Sequence, residues 1–378
     1  MIYADNAATT RMSEGALRVM TTLAAECWGN PSSLYVHGQK AKEVLEEARA
    51  EVAAIIGANP REIIFTSGGS EADNQAIRTA AELGRKAGKK HIISTAFEHH
   101  AVLHTLAALE KEGFEVTLLD VHENGIVKAS EVEAAIREDT CLVTVMAANN
   151  EIGTIQPFRE IGAVCRKKNV LFHVDAVQAV GHIPVNVAED NIDMLSASAH
   201  KFHGPKGTGF LYAKKGIRVR NLIEGGAQEH GLRAGTENVA GIAAMAEALK
   251  EANAGMEKNA EHLVKMRDRL ISGLQEIPHS ALNGDAAQRL PGNVNFSFDG
   301  IESEELLVLL DKDGVCASSG SACSAGSVQP SHVLKAIGKS DAQAHSAVRF
   351  SIGILNTEDE IRTAVELLRE DIEKLRAF

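Results

Sequence analysis

The stretch VLFHVDAVQAVGHIPVNVAEDNIDMLSASAHKFHGPKGTGFLYA spans residues 170–213. It holds three short apolar runs, VLFHVD (170–175), IDMLSAS (192–198) and GTGFLYA (207–213), each bounded by Gly, Pro or Asn. Runs of that length and composition are strands, and polar residues stand at or just beyond their ends: Asp175, Ser198, His200 and Lys201. In a parallel α/β sheet ligands sit beyond the carboxyl ends of the strands, so these residues are the first candidates for chemistry.

Working outward, EIIFT (62–66), HIIST (91–95), EVTLL (115–119) and CLVTVMA (141–147) are four more such runs. Amphipathic stretches at 71–87, 100–112, 130–137 and 158–168 supply the crossovers that parallel strands need. The expected fold is α/β, a mostly parallel seven-stranded sheet in a large domain. Beyond the Gly-rich segment 224–238 a long Ala/Glu/Lys/Leu stretch to about residue 274 forms one or two helices. A smaller α+β domain follows, with strands at 293–298 and 347–353, a helix over 303–313 and a terminal helix from Thr357 to about Leu375, capped through Glu360.

With 378 residues, 44% hydrophobic and 24% charged, the chain reads as an ordinary globular protein of about two domains. Its 39 basic against 51 acidic residues, net charge -12, offer no attraction for nucleic acid or anionic lipid. The opening MIYADNAATT lacks a signal-peptide pattern, and no segment has the run of apolar residues a membrane helix needs. The expected location is cytoplasmic. Five scattered cysteines, 27, 141, 165, 316 and 323, argue against a disulfide framework and a zinc ribbon, so cysteine chemistry should come from one thiol.

Five stretches can carry chemistry. Lys201, followed by Gly-Pro-Lys-Gly-Thr-Gly, can act as a Schiff-base amine if burial lowers its pKa, although a lysine in such a loop is usually a solvated surface residue. Asp175 at a strand end could keep a pyridine nitrogen protonated, or simply cap a helix. Gly68, Gly69 and Ser70 precede a helix whose first N–H groups suit a phosphate. In EHHAVLHT, His100 and His104 lack the glutamate and third ligand of a metal site, and His99 could lie over a flat cofactor and shuttle protons near neutral pH. Cys323 stands among Ser, Ala and Gly, a setting for a thiol that travels, whereas Cys141 and Cys165 read as buried hydrophobes.

Taken in order, DNAATTR (5–11), GNPSS (29–33), FTSGGSEADN (65–74), EHHAVL (98–103), NNEIG (149–153), HVDAVQAVG (173–181), SAHKFHGPKG (198–207), RAGTEN (233–238), SSGSAC (318–323) and AHSAVRFS (344–351) resemble the pyridoxal-phosphate-dependent cysteine desulfurases of the NifS/IscS kind. The resemblance covers nearly the whole chain and implies the PLP-dependent transferase fold type I. It implies a large cofactor-binding domain over 15–255 and a small domain of 1–14 and 256–378 that carries the cysteine loop.

Carried over by position, it implies that Lys201 forms the Schiff base with pyridoxal 5′-phosphate, Asp175 pairs with the ring nitrogen, Gln178 contacts the ring hydroxyl and His99 stacks on the ring. Gly69, Ser70, Ser198 and His200 would hold the phosphate, joined by Thr236 from the partner subunit of a homodimer. Asn150 and Arg349 would take the carboxylate of L-cysteine, with Asn30 nearby, and Asn150 would also border the cofactor. Cys323 would accept the sulfur as a persulfide, helped by His99 as proton acceptor, and L-alanine would leave. No metal is implied. The sulfur would pass to an acceptor protein, an iron–sulfur scaffold or a tRNA-thiolation protein.

The chain departs from its relatives at His230 and Leu232, at Ile354, Leu355 and Asn356, and in stopping at Phe378, which bears on the acceptor rather than on catalysis. A selenocysteine lyase or a small-amino-acid aminotransferase of the same superfamily is the neighbouring alternative. A non-catalytic sulfur or iron–sulfur carrier using Cys316 and Cys323 is the alternative of another class.

Overall fold

The computed structural model describes residues 1–319 and 329–377. Its strands are β1 Ile2–Tyr3, β2 Ile63–Thr66, β3 His91–Thr95, β4 Glu115–Leu119, β5 Thr140–Thr144, β6 Leu171–Asp175, β7 Met194–Ser198, β8 Gly209–Ala213, β9 Ser280–Leu282, β10 Asn293–Phe298, β11 Val315–Cys316 and β12 Ala347–Ser351. Seven of them form one sheet in the order β2-β8-β7-β6-β5-β3-β4. All seven runs read from the sequence are there, most of them trimmed at one end. The sheet is parallel except at β8, which runs antiparallel to both β7 and β2. The reason is length: too few residues separate β7 from β8 for a crossover, which takes a dozen or more, so the chain can only double back.

The crossover helices Gly69–Lys86, His100–Lys111, Ala129–Ala135 and Phe158–Lys168 lie within a residue or two of their expected positions. The long Ala-rich stretch is one unbroken helix, Val239–Gln275, started by the Asn238 side chain accepting the Gly241 N–H. Its first half packs in the core of the large sheet, up to Leu249 and Ala252. Its second half, from Leu263, packs with Ile2, Ala4, Phe296, Phe350 and the terminal helix in a separate core. The division of the molecule is thus made by packing, inside a continuous helix.

The small unit holds the antiparallel sheet β12-β10-β9 and the parallel pair β1-β11. The terminal helix Glu358–Arg376 starts at Thr357 with the capping box expected, its hydroxyl accepting the Glu360 N–H while Glu360 accepts that of Thr357. Among the described residues no helix is long and apolar enough to cross a membrane.

Because β2, β3, β5, β6 and β7 run the same way, their carboxyl ends open on one side of the sheet. The residues that follow them face the small unit there.

Candidate active site

A pocket of about 1290 Å³, including its mouth, lies at those strand ends. Its wall contains Gly69, Ser70, His99, Asn150, Asp175, Gln178, Ser198, His200, Lys201 and Arg349. Residues read separately along the chain therefore converge. The connection after β2 enters the helix Gly69–Lys86 through Gly68 at φ +152°, a conformation that favours glycine. At Gly69 a Cβ would fall 2.5 Å from the Val177 side chain, so both glycines are needed for the close approach. The helix start carries unpaired N–H groups and the positive end of its dipole, an anion site with Ser198 and His200 beside it. Burial first, then Lys201 and Lys206, lowers His200 to about 4, so it meets an anion as a neutral imidazole.

Two elements of this cradle were not singled out from sequence. Lys206 lines the pocket. Glu71, in the first turn, accepts the Ser67 N–H at 2.8 Å and pairs with Arg233 at 2.9 Å. Burial alone would raise its carboxyl, but the bonds from Arg233 and Ser67 hold it below the usual range.

Deeper in, Asp175 closes β6 and accepts the Val177 N–H at 3.0 Å. Burial raises its carboxyl, while the Val177 N–H and the Lys201 charge act the other way. Behind it stands Asp73, also fully buried, whose Oδ1 lies 3.7 Å from His173 Nε2 and makes no hydrogen bond. Burial and the neighbouring Asp175 push Asp73 well above the carboxylate range. Of this pair Asp175 is the ionised member, because it has a backbone donor and a nearby cation, whereas an ionised Asp73 would bury an oxygen without a partner. A third acid, Glu98, bonds Thr95 and the Met146 N–H through one oxygen and is raised to about 8 by burial. Asp73 and Glu98 escaped the sequence reading because nothing local marks a buried acid.

His99 is the N-cap of the helix His100–Lys111, its Nδ1 accepting the Ala101 N–H at 3.1 Å. That bond assigns the proton to Nε2 in the neutral ring. Burial, reinforced by Lys201 and three neighbouring histidines, lowers the imidazole to about 4. The near-neutral titration expected from sequence is therefore corrected: desolvation keeps the ring uncharged across the physiological range. His100 stacks on His104 at 4.9 Å and meets His332 at 4.7 Å.

Lys201 follows β7 and gives its Nζ to the carbonyls of Ala7 and Ala8 at 2.6 and 2.8 Å. Gln178 donates to the same Ala7 carbonyl at 3.1 Å. Arg349, on β12 and 2% exposed, comes from the small unit; its Nη1 donates to the Asn150 carbonyl and its Nη2 to Asp5 Oδ1, each at 2.8 Å. Asn30 is exposed and Thr236 is exposed, and neither lines this pocket in one chain. Cys323 lies outside the described residues. Cys316 sits in β11, away from the pocket wall.

A helix start shaped for an anion, an ionisable carboxyl and an amine on the wall of one pocket fit a phosphorylated pyridine aldehyde. The residues that would hold it are Gly69, Ser70, Ser198 and His200 at the phosphate, Asp175 and Gln178 at the ring, and Lys201 at the aldehyde.

Comparison with known proteins agrees with that chemistry. Residues 2–363 match the aminotransferase class-V family. A cysteine desulfurase IscS of Clostridium botulinum is 50% identical over 99% of this chain and 95% of its own. Among solved structures, a NifS-like protein superposes with a TM-score of 0.93 at 40% identity, covering 99% of both chains. SspA in complex with cysteine superposes with a TM-score of 0.83 at 35% identity, covering 94% of this chain and all of the other. The chain belongs to the class-V aminotransferase family, among its IscS-type cysteine desulfurases.

Proposed function

We propose that this cysteine desulfurase binds pyridoxal 5′-phosphate in the strand-end pocket and moves the sulfur of L-cysteine onto Cys323, leaving L-alanine. The supporting observation is the convergence of the Lys201 amine, the Asp175 carboxyl, the Gly69 helix start and the Arg349 guanidinium on one pocket. When bound, the cofactor supplies an electron sink for the carbanion at the substrate's α-carbon.

The chain's own residues do the rest. Asp175, ionised, stabilises positive charge at the ring nitrogen. Lys201 holds the cofactor and moves the α-proton. Arg349, with the Asn150 side chain, orients the substrate carboxylate, for which a planar guanidinium is suited. The Cys323 thiol becomes a persulfide and the substrate carbon takes a proton in place of sulfur, so atoms balance without an outside oxidant. His99, neutral and protonated at Nε2, offers the pocket an N–H; taking a proton would use Nδ1 and release the Ala101 N–H.

The same reading takes residues 15–255 as the cofactor-binding unit, and 1–14 with 256–378 as the small unit. It makes the site complete only in a homodimer, where Thr236 reaches the partner's phosphate cradle, and puts Asn30 near the substrate. The sulfur goes on to an acceptor protein for iron–sulfur or thio-cofactor assembly in the cytoplasm. Being a cysteine desulfurase, the chain is not the non-catalytic carrier considered above.

The test is to incubate holoprotein with L-cysteine and a thiol reductant and quantify alanine and sulfide together. Equal amounts are expected. Cys323→Ser should abolish both while leaving cofactor content intact, and Lys201→Ala should reduce turnover by about 10³-fold or more. Undiminished sulfide release from Cys323→Ser rules the scheme out.

A further inference from the structure

We propose that Asp5 is a positioning residue for substrate recognition, its carboxylate holding the Arg349 guanidinium in the orientation that meets the carboxylate of the incoming amino acid. The inference deepens the reading above and rests on it for the role of Arg349.

Arg349 is buried, and a buried guanidinium needs a nearby anion. Among the described residues two carboxyl groups act on it. Glu151 is buried, its Oε2 accepts the Ser331 hydroxyl at 2.5 Å, and burial raises its carboxyl against the pull of that bond and of Arg349. Asp5 makes the direct contact, 2.8 Å from Nη2. The Asn150 carbonyl takes Nη1, and Nε has no hydrogen-bond partner among the described residues. The end of the guanidinium is thus held from two stretches of chain, while an inner donor is left over. Removing Asp5 takes away one of the two acceptors that set the plane of the fork.

Asp5 is itself held firmly. Its neighbours lie along β12: Asn6 N–H donates to the Ser351 carbonyl, Ser351 N–H to that of Ala4, and Ala7 N–H to the Ser351 hydroxyl at 2.8 Å. Two residues later the chain reaches the other side of the pocket, where the Ala7 carbonyl accepts from Lys201 and Gln178. The turn from Asp5 to Ala8 therefore sets the distance between the group that grips the substrate carboxylate and the amine where chemistry occurs. A carboxylate that positions the arginine and one that competes for it make opposite predictions. Removing a positioner weakens substrate binding, and removing a competitor tightens it.

The experiment compares Asp5→Asn, Asp5→Glu, Arg349→Lys and the Asp5→Asn/Arg349→Lys pair with the wild-type holoenzyme. It measures KM and kcat for L-cysteine, the Kd of L-alanine by calorimetry, and cofactor content. Asp5→Asn should raise KM and the L-alanine Kd about tenfold or more, the scale of one hydrogen bond to a buried charge, with kcat and cofactor content nearly unchanged. Asp5→Glu should recover part of the loss, and the effects of Asp5→Asn and Arg349→Lys should not multiply in the pair. An unchanged or lowered KM in Asp5→Asn, or a fall in kcat at constant KM, overturns the proposal. If Arg349→Lys itself leaves KM and L-alanine binding unchanged, the reading of Arg349 fails and the proposal with it; loss in Arg349→Lys without loss in Asp5→Asn overturns the proposal alone.

Discussion

Among the described residues, Arg49 and Arg349 are buried arginines paired with carboxylates for different ends. Arg49, on the helix Val36–Ile56, faces Glu229 with both side chains 2% exposed, and two bonds of 2.7 and 2.8 Å join the groups in parallel. Arg49 also donates to the Ile63 carbonyl and lies over the Phe65 ring, while Glu229 accepts the Phe65 N–H. Arg349 meets Asp5 through one oxygen, keeps an Nε unpaired among the described residues, and lines the pocket. A fully satisfied pair has nothing left to offer a ligand and serves as a bolt. An incompletely satisfied pair at a pocket wall is held but still able to bind. The bolt also holds strain, since Glu229 and His230 adopt left-handed φ values of +48° and +59° that non-glycine residues rarely take.

The comparison can be broken most directly at Glu229. Glu229→Gln should lower unfolding stability by about 3–5 kcal/mol, because it leaves a buried guanidinium with only the more exposed Glu46 as counter-charge. Denaturant midpoints measure this, and Arg49→Met/Glu229→Leu should recover much of the loss. An unchanged midpoint in the single variant would mean that the pair is no bolt.

A second test changes charge by pH. Burial lowers His99 and His200 to about 4 and His173 to about 3. Between pH 6.5 and those values these rings bind protons in the unfolded chain that they refuse in the folded one, so their contribution to stability falls as pH falls through that window. His173→Gln, followed by equilibrium unfolding at a series of pH values, should flatten that part of the curve. An unchanged slope in His173→Gln contradicts the burial of this ring.

Buried acids work in the opposite direction, Asp73 and Asp175 among them and, as the test case, Glu98. Raised to about 8, it keeps in the folded state a proton the unfolded chain has lost above 4.5, so its contribution is present at low pH and disappears as pH rises through about 8. Glu98→Gln should flatten that decline, and an alkaline limb of unchanged slope would count against a protonated Glu98.

The smallest effect sharpens the contrast. Asp5→Asn should cost less stability than Glu229→Gln, because the Asp5 side chain is 18% exposed and a neutral amide oxygen can still accept from Arg349 Nη2 while the Asn150 carbonyl keeps Nη1. A loss as large as that of Glu229→Gln would place both pairs in the structural class.

Much of this was legible in the chain because it depends on short-range physics. Seven apolar runs of strand length, separated by helical periodicities, gave the sheet, and polar residues at the run ends gave Asp175 and Lys201. The orientation of β8 was not among the expectations, although the few residues after Ser198 carried it. Gln178, Ser198 and His200 lie near those strand ends in sequence and were found with them. Arg349, read from its motif, reaches the pocket only because β12 of the small unit faces the large sheet. Asp5, Asp73, Glu98 and Glu71 carried no local signal.

What the sequence determined alone was the set of elements and the residue types at the strand ends, because apolar periodicity and turn chemistry act over a few neighbours. Only the tertiary structure decided which carboxyl groups sit behind which cations and which of them keep a proton. Those outcomes depend on desolvation and on contacts such as Asp5 to Arg349, across 344 positions, which exist only once two separate cores have packed along one helix.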